Sequence, residues 1–517
     1  EMLDSIVEQI YANWELCIAD GSPAGESVEN VLKKYAEKDA RIRYQVLGEN
    51  RGISGNTNAA LEMAEGDFIV LADHDDRLTP NALFECAKKL NENRSCDVLY
   101  SDEDKLDMDG DELFDPHFKP DFNPDLLTSV NYICHLFVVK KELLDKVGGF
   151  RPEYDGAQDY DFIFRCTENA KQICHIPKVL YHWRCHPNST ASNPESKLYA
   201  FTAGSRAIMD HYKRVGIEAE KVEKGVDYGI YHTTFKIKDD PLVSVIIPNK
   251  DHTDDLDRCL TSLYKNAGYD NFEVIVIENN STDPATFAYY KTLHDRFPTC
   301  WVVTFEGKGP FNFSAINNFG ASFAEGEHLL LLNNDIEILS PDFLRELLSY
   351  SQRPDVGAVG AKLYYPDDTI QHAGVLMGIN GSAGHSHKSY PRTAVGDMYR
   401  LVTTQDYMAV TGACLMTKTA LYRECGGLDE EKFAVAYNDV DYCLKLWQKG
   451  LLNVYTPRAE AYHYESKSRG LDTLSENARR YEREKANFYA KYQQYIDNYD
   501  PYYNPHFNNL FENFGLK

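Results

Sequence analysis

"GDFIVLADHDDRLTP" (residues 66–80) runs four apolar side chains into a cluster of acids, and "GEHLLLLNNDIEILSP" (326–341) repeats the cadence. Short apolar runs without alternation read as strands buried on both faces of a parallel sheet. Such sheets collect ligands at the carboxyl ends of their strands, which is where both sets of acids fall. The spacing therefore predicts an α/β fold with two ligand-facing strand ends.

The surroundings of these two stretches repeat as well. "NWELCIADGS" (13–22) parallels "NFEVIVIENNS" (271–281), and "VGGFRPEYDGAQDYDF" (147–162) parallels "CGGLDEEKFAVAYNDVDY" (425–442). "YHWRCHPNST" (181–190) likewise parallels "YHYESKSRG" (462–470). The offset grows from 258 at Glu15/Glu273 to 260 at Asp75/Asp335, 280 at Asp159/Asp439 and 281 at His182/His463. That is the signature of two homologous domains with loop insertions, the period being too long for a solenoid.

The second copy opens with "PLVSVIIPNK" (241–250), a strand, followed by the helical "DDLDRCLTSLYKNA" (254–267) and the strand "FEVIVIE" (272–278). The first copy begins inside the equivalent helix, at "EMLDSIVEQI", so the expectation is an N-terminally truncated domain lacking about 18 residues and its first strand. The expected layout is a first domain over 1–192, a helical and extended connector over 193–240, a second domain over 241–486 and an aromatic-rich tail over 487–517.

Composition bounds the partners. With 54 Lys+Arg against 80 Asp+Glu the net charge is -26, which repels phosphate backbones and argues against nucleic acid. The 12 cysteines are scattered without a C-x-x-C pair, as in a reducing cytoplasmic setting. The longest apolar stretches, such as "LLLL" at 329–332, are far below the roughly 20 residues of a membrane span, and the start carries no signal-peptide pattern. Contact with the inner face of a membrane stays open.

Acids at a strand end repel a phosphate unless a divalent cation lies between them. Mg²⁺ or Mn²⁺ takes one or two carboxylates together with phosphate oxygens in such a position. The motifs that fit this reading are "DHD" (73–75), the Gly-Gly-Phe segment with "GAQDYDF", "YHWR", and, in the second copy, "PFNFSAINN", "LNND", "TGACL", "YNDVD" and "HYESKSRG". On this ordered set the chain resembles tandem family 2 glycosyltransferases of the GT-A fold, of the type that builds bacterial polysaccharides and cell-surface glycans such as O-antigen.

The resemblance implies two Rossmann-like nucleotide-diphospho-sugar transferase domains with mostly parallel sheets. It makes Asp75 a metal ligand and turns Asp73 to the donor's ribose; in the second copy Asn333 replaces the first acid and Asp335 keeps the second. The general bases fall on Asp159 and Asp439, where Gln158 and Asn438 replace the usual preceding Glu. His182 and His463 fall at the family's metal-ligating histidine, with His186 close enough to compete for the first. Nucleotide contacts fall on Asp20, Glu278 and Asn279. The cofactor implied is Mn²⁺ or Mg²⁺, the donor a UDP- or dTDP-sugar, and the acceptor a glycan or lipid-linked glycan.

The chemistry is coherent with one carboxylate per site: an inverting transfer needs a base for the acceptor hydroxyl and a cation for the leaving diphosphate. A retaining double displacement would ask for a nucleophilic carboxylate as well. Other readings stay in view. Acids near Pro80 and Pro341 can cap helices, Asp159 can serve a helix dipole, and either copy can be a glycan-binding or scaffold module. "SDEDKLDMDGDE" (101–112) fails the calcium-loop spacing and reads as a solvated acidic hairpin loop from which Asp102 and Asp104 could reach sugar hydroxyls. "HSHKSYPR" (385–392) reads as a solvated loop or a lid.

Overall fold

The computed structural model describes every residue except 24–25, 186–197, 308 and 466–474. His186 and all of "SKSRG" (466–470) therefore lie outside the described residues. The chain divides into two compact units, Glu1–Phe122 with Leu127–Thr233, and Asn123–Leu126 with Thr234–Lys517.

The second unit is built on a ten-stranded sheet. Cys300–Thr304, Phe272–Glu278, Val243–Asn249 and His328–Leu332 lie side by side in parallel, with helices Thr253–Asn266 and Pro284–Arg296 as crossovers. Cys414–Lys418 then joins antiparallel on one side to His328–Leu332 and on the other to Val356–Tyr364. Leu452–His463 runs parallel to Val356–Tyr364, and Ile336–Ile338 closes the order antiparallel to it. Every residue of His328–Leu332 is buried, which explains its unbroken apolar run. Fully burying each such Leu is worth about 1.5–3 kcal/mol.

The first unit repeats the order and sense of these strands on a smaller scale. Phe68–Leu71, Phe137–Lys140, Val98–Leu106, Ile173–Arg184 and Arg77–Leu78 follow one another with antiparallel, antiparallel, parallel and antiparallel joins. Leu16–Asp20 and Ile42–Val46 form a separate parallel pair. In the second unit Val243–Asn249 bridges the corresponding strands; among the described residues of the first, no strand does. Accordingly Leu16–Cys17–Ile18–Ala19 and most of Phe68–Leu71 are only half-buried.

Two segments depart from the sequence reading. Ser101–Leu106 is not a solvated loop but a buried strand whose acids are all partnered. Asp102 accepts from His175 Nε2 at 2.8 Å and the Lys119 amide at 2.9 Å. Glu103 pairs with Lys119 Nζ at 3.1 Å, and Lys119 with His117 hold its carboxyl down to about 2 against the opposing pull of burial. Only the turn at Asp107–Gly110, with Gly110 at φ +83°, is the expected hairpin turn. The aromatic tail is core material: Phe488, Tyr492, Ile496 and Tyr502 pack with Ile246, Leu329 and Tyr442.

Candidate functional site

In the first unit the strand Phe68–Leu71 ends at Ala72, and the acids follow at its carboxyl end. Asp73 is exposed, Asp75 half-buried and Asp76 buried. Neither these acids nor Asp335 caps a helix: Asn81 and Asp342 hold the N-terminal positions of the helices that follow, with no side-chain cap bond. The Tyr181 hydroxyl accepts the Asp73 amide at 3.0 Å and donates to the Asp76 carboxylate. Asp76 also accepts the Arg184 amide at 2.8 Å, and burial pushes its carboxyl up to about 6.

His135 completes the cluster. It immediately precedes the strand that pairs with Phe68–Leu71, and its ring stacks on Tyr181 at 4.7 Å. Ligating atoms of Asp73, Asp76 and His135 all lie within 4.8 Å of one another, and buried Nδ1 of His135 makes no hydrogen bond. Two carboxylates and an imidazole at this spacing fit a divalent cation. Asp159, in the first turn of helix Gln158–Asn169, accepts from Asn131 Nδ2 at 2.9 Å. Burial raises its carboxyl, with the Asp73 charge adding to the rise and His135 opposing it.

The sequence-derived partners Asp75 and His182 do not meet here. The Asp75 carbonyl accepts from Arg184 Nε at 2.7 Å, and His182 Nδ1 is bonded to Asp104. Asp20, at the end of Leu16–Asp20, accepts the Ser22 amide at 3.0 Å and Ser27 Oγ at 2.7 Å. These bonds outweigh burial and keep its carboxyl low.

In the second unit Asp335 and His463 do meet, Oδ1 to Nε2 at 3.2 Å, with Asn333 Nδ2 3.1 Å from the same nitrogen. Gln371 Oε1 accepts from His463 Nδ1 at 2.7 Å, which leaves Nε2 as the lone-pair atom facing Asp335. Glu278, ending Phe272–Glu278, accepts Ser281 Oγ at 2.6 Å and the Tyr290 hydroxyl at 2.8 Å. Tyr290 in turn accepts from Asn249 Nδ2 at 2.8 Å, and Asn249 Oδ1 accepts from Asn334 at 2.7 Å. One hydrogen-bonded chain thus joins the Glu278 strand end to "NND". The Asn279 amide donates to the Asn249 carbonyl at 2.9 Å. Asp439, in the first turn of Asn438–Gln448, accepts the Gly412 amide at 2.8 Å.

Sequence reasoning missed Asp76, His135 and Tyr181 in the first unit and Gln371 and His372 in the second, whereas His385 opens the quoted "HSHKSYPR". Asp76 sat inside the quoted motif, one residue beyond the D-x-D, and was available to it. His135 had no counterpart to flag it: strand register sets it against Ala413. Within the "HSHK" segment Ser386 and His387 are buried, the His387 ring stacked on Phe514 at 4.4 Å, while Lys388 is exposed.

Comparison with known proteins agrees with this architecture. The family described as Glycosyl transferase family 2 matches residues 1–148, and Glycosyltransferase like family 2 matches residues 240–485. The uncharacterized protein y4gI of Sinorhizobium fredii is 42% identical over 94% of this chain and 53% of its own length. The O-antigen biosynthesis protein RfbC of Myxococcus xanthus is 38% identical over 92% of this chain and 37% of its own. The chain thus spans about half or less of the length of these relatives. The solved mannosyltransferase PcManGT of Pyrobaculum calidifontis, in complex with GDP-Man and Mn2+, aligns at a TM-score of 0.37 and 18% identity over 51% of this chain and 67% of that one. The chain belongs to the family 2 glycosyltransferases and carries two domains of that family in tandem.

Proposed function

We propose that the chain is an inverting, metal-dependent glycosyltransferase that moves sugars from UDP- or dTDP-sugar donors to a growing polysaccharide or lipid-linked glycan, with an active site in each unit. The observation that carries this reading is the cation-fitting cluster of Asp73, Asp76 and His135, whose Asp73 and His135 charges act on the buried carboxyl of Asp159. In the second unit Asp335, His463 and Asp439 take these roles, the first two from other positions of the repeat. An imidazole among the ligands favours Mn²⁺ over Mg²⁺. When bound, the cation neutralises the departing nucleoside diphosphate.

The chain's own residues do the rest. Asp159 or Asp439 accepts the acceptor hydroxyl's proton as its oxygen bonds to the anomeric carbon and the bond from that carbon to the diphosphate breaks. The raised affinity of Asp159 for a proton suits it to this task. Tyr181 holds the acid loop in place, and Glu278, Asn279 and Asp20 stand at the strand ends where the nucleotide base would lie. Among the described residues no helix is long and apolar enough to cross a membrane. The scattered, unpaired cysteines support a cytoplasmic setting, in which a lipid-linked acceptor would be met at the inner face of the membrane.

A second reading has one observation in its favour. Among the described residues the three-ligand cluster occurs in the first unit alone, since Asn333, Ile336 and Ala413 stand where Asp73, Asp76 and His135 do. On that reading the second unit binds glycan while the first catalyses. The test is release of UDP or dTDP from a panel of UDP- and dTDP-sugars with and without Mn²⁺, in Asp159→Asn and Asp439→Asn full chains. Loss in both supports two active sites, loss in Asp159→Asn alone supports the second reading, and no metal-dependent release from the parent chain would overturn both.

A further inference from the structure

The segment of Ile370–His372, Val375–Met377 and Ala383–His385 brings two imidazoles together. His372 is fully buried, and its Nε2 accepts two backbone amides, Gly374 and Thr411, each at 3.4 Å. A nitrogen that accepts two N–H groups carries no proton, so the His372 hydrogen is on Nδ1. That Nδ1 lies 2.9 Å from Nδ1 of His385. One of the two nitrogens must donate, and His372 is already committed as the donor. His385 Nδ1 is therefore the acceptor, and its single hydrogen sits on Nε2.

The same backbone stretch fixes the base. Thr411 N–H holds His372, and the next amide, Gly412 N–H, holds Asp439 Oδ2 at 2.8 Å. A side chain at Gly412 would crowd Asp439, its Cβ falling 3.2 Å from the Asp439 Cβ. Gly374 keeps its amide close to His372 at φ +99°, where a Cβ would strike the Tyr407 ring. His372 and the Asp439 carboxylate are thus set by adjacent peptide groups of "TGACL", and His385 is set through His372.

Resting on the glycosyltransferase reading above, we propose that His385 is an acceptor-binding residue: a neutral imidazole that donates Nε2–H to an oxygen of the acceptor glycan next to the hydroxyl that Asp439 deprotonates. Protonating His385 would put hydrogens on both facing Nδ1 atoms, so the pairing itself keeps the ring neutral. Burial works in the same direction, as does nearby Lys388, while Asp439, Glu465 and Glu512 pull against it. A neutral donor stabilises a sugar oxygen without competing with Asp439 for the proton.

The test is long-range ¹⁵N–¹H correlation on the full chain labelled at histidine, titrated with the methyl glycosides of glucose, galactose, mannose, rhamnose and N-acetylglucosamine. His372 should read as the Nδ1–H tautomer and His385 as Nε2–H, and at least one glycoside should shift the His385 Nε2 resonance. His385→Ala should weaken that glycoside about fivefold to tenfold, the usual worth of one hydrogen bond, while His385→Gln, whose amide can donate from a similar place, retains most of it. An Nδ1–H tautomer or a protonated ring at His385, or a shift with no glycoside, overturns the proposal. Nucleoside diphosphate release separates the two readings: its absence removes the transferase activity but leaves a glycan site if His385 still responds.

Discussion

His463 Nε2 lies 3.2 Å from Asp335 Oδ1, whereas His182, at the matching place in the repeat, is bonded to Asp104. The difference is one residue of strand register. In the second unit Ile336, one after the acid, stands opposite His463; in the first Arg77, two after Asp75, stands opposite His182. Because side chains alternate along a strand, the single step turns His182 to the other face. Trp183 takes its place, its ring centroid 6.1 Å from that of His135, and on the proposed reading His135 with Asp76 replaces the lost pair.

The two units should therefore bind Mn²⁺ through different residues. In a titration of the full chain followed by electron paramagnetic resonance, His463→Ala should weaken one class of site by about tenfold or more, and His135→Ala the other. His182→Ala should leave both unchanged. Equal losses from His182→Ala and His135→Ala would refute the register argument.

Glu346, on helix Phe343–Ser351, gives the second unit a pH-dependent stability. Burial raises its carboxyl to about 7 from an ordinary value of 4.5, although Thr456 Oγ1 donates to it at 2.7 Å. The folded state holds this proton more tightly than the unfolded one, so the contribution is fully present below pH 4.5 and is lost as pH rises to 7. A tenfold gain in proton affinity is worth about 1.4 kcal/mol, and the side chain's partial exposure to solvent reduces the total to about 2 kcal/mol. Glu346→Gln should raise Tm by a few degrees at pH 8 relative to pH 5, against the parent chain, in scanning calorimetry. A pH-independent difference between the two proteins would contradict it.

The bridging strand should show in exchange rates. Val243–Asn249 is buried at six of its seven positions, and Leu16–Asp20 at one of five. Amides of Leu16–Asp20 and Ile42–Val46 should exchange at least about tenfold faster than those of Val243–Asn249 and Phe272–Glu278, since opening the smaller pair exposes little apolar surface. Equal protection in native-state exchange by mass spectrometry would count against that.

What the sequence could and could not convey follows from the kind of information each feature carries. Strand ends were readable because an apolar run followed by acids is a local pattern, and "FIVL" with "LLLL" predicted both strands. Register was not: nothing within "YHWR" or "YHYE" says which face a histidine takes, since that is decided by the partner strand. His135 and Asp76 come from segments 59 residues apart in sequence and meet only through the sheet, so no motif joined them. The acids of Val98–Leu106 looked solvated because His175, His182 and Lys119, the groups that neutralise them, lie in other strands and loops.

The strongest test of the proposed function lies in the two proposed bases, Asp159 and Asp439. Asn is nearly isosteric with Asp, and its Oδ1 can still accept the bonds that position the parent side chains, from Asn131 at residue 159 and from Gly412 at residue 439. Asp159→Asn and Asp439→Asn should therefore keep the fold and the affinity for UDP with Mn²⁺, while sugar transfer falls about 10² to 10⁴-fold, the usual worth of a general base. Asp159 should also show in the pH profile: burial lifts its carboxyl, so the acid limb of kcat should lie above the ordinary carboxylate range and vanish in Asp159→Asn. If each unit adds its own sugar, mass spectrometry of the products will show one variant stalling after a single addition and the other adding none. If Asp439→Asn makes the full product at the parental rate, the second unit is no transferase, and its Asp335, His463 and His385 serve glycan binding alone.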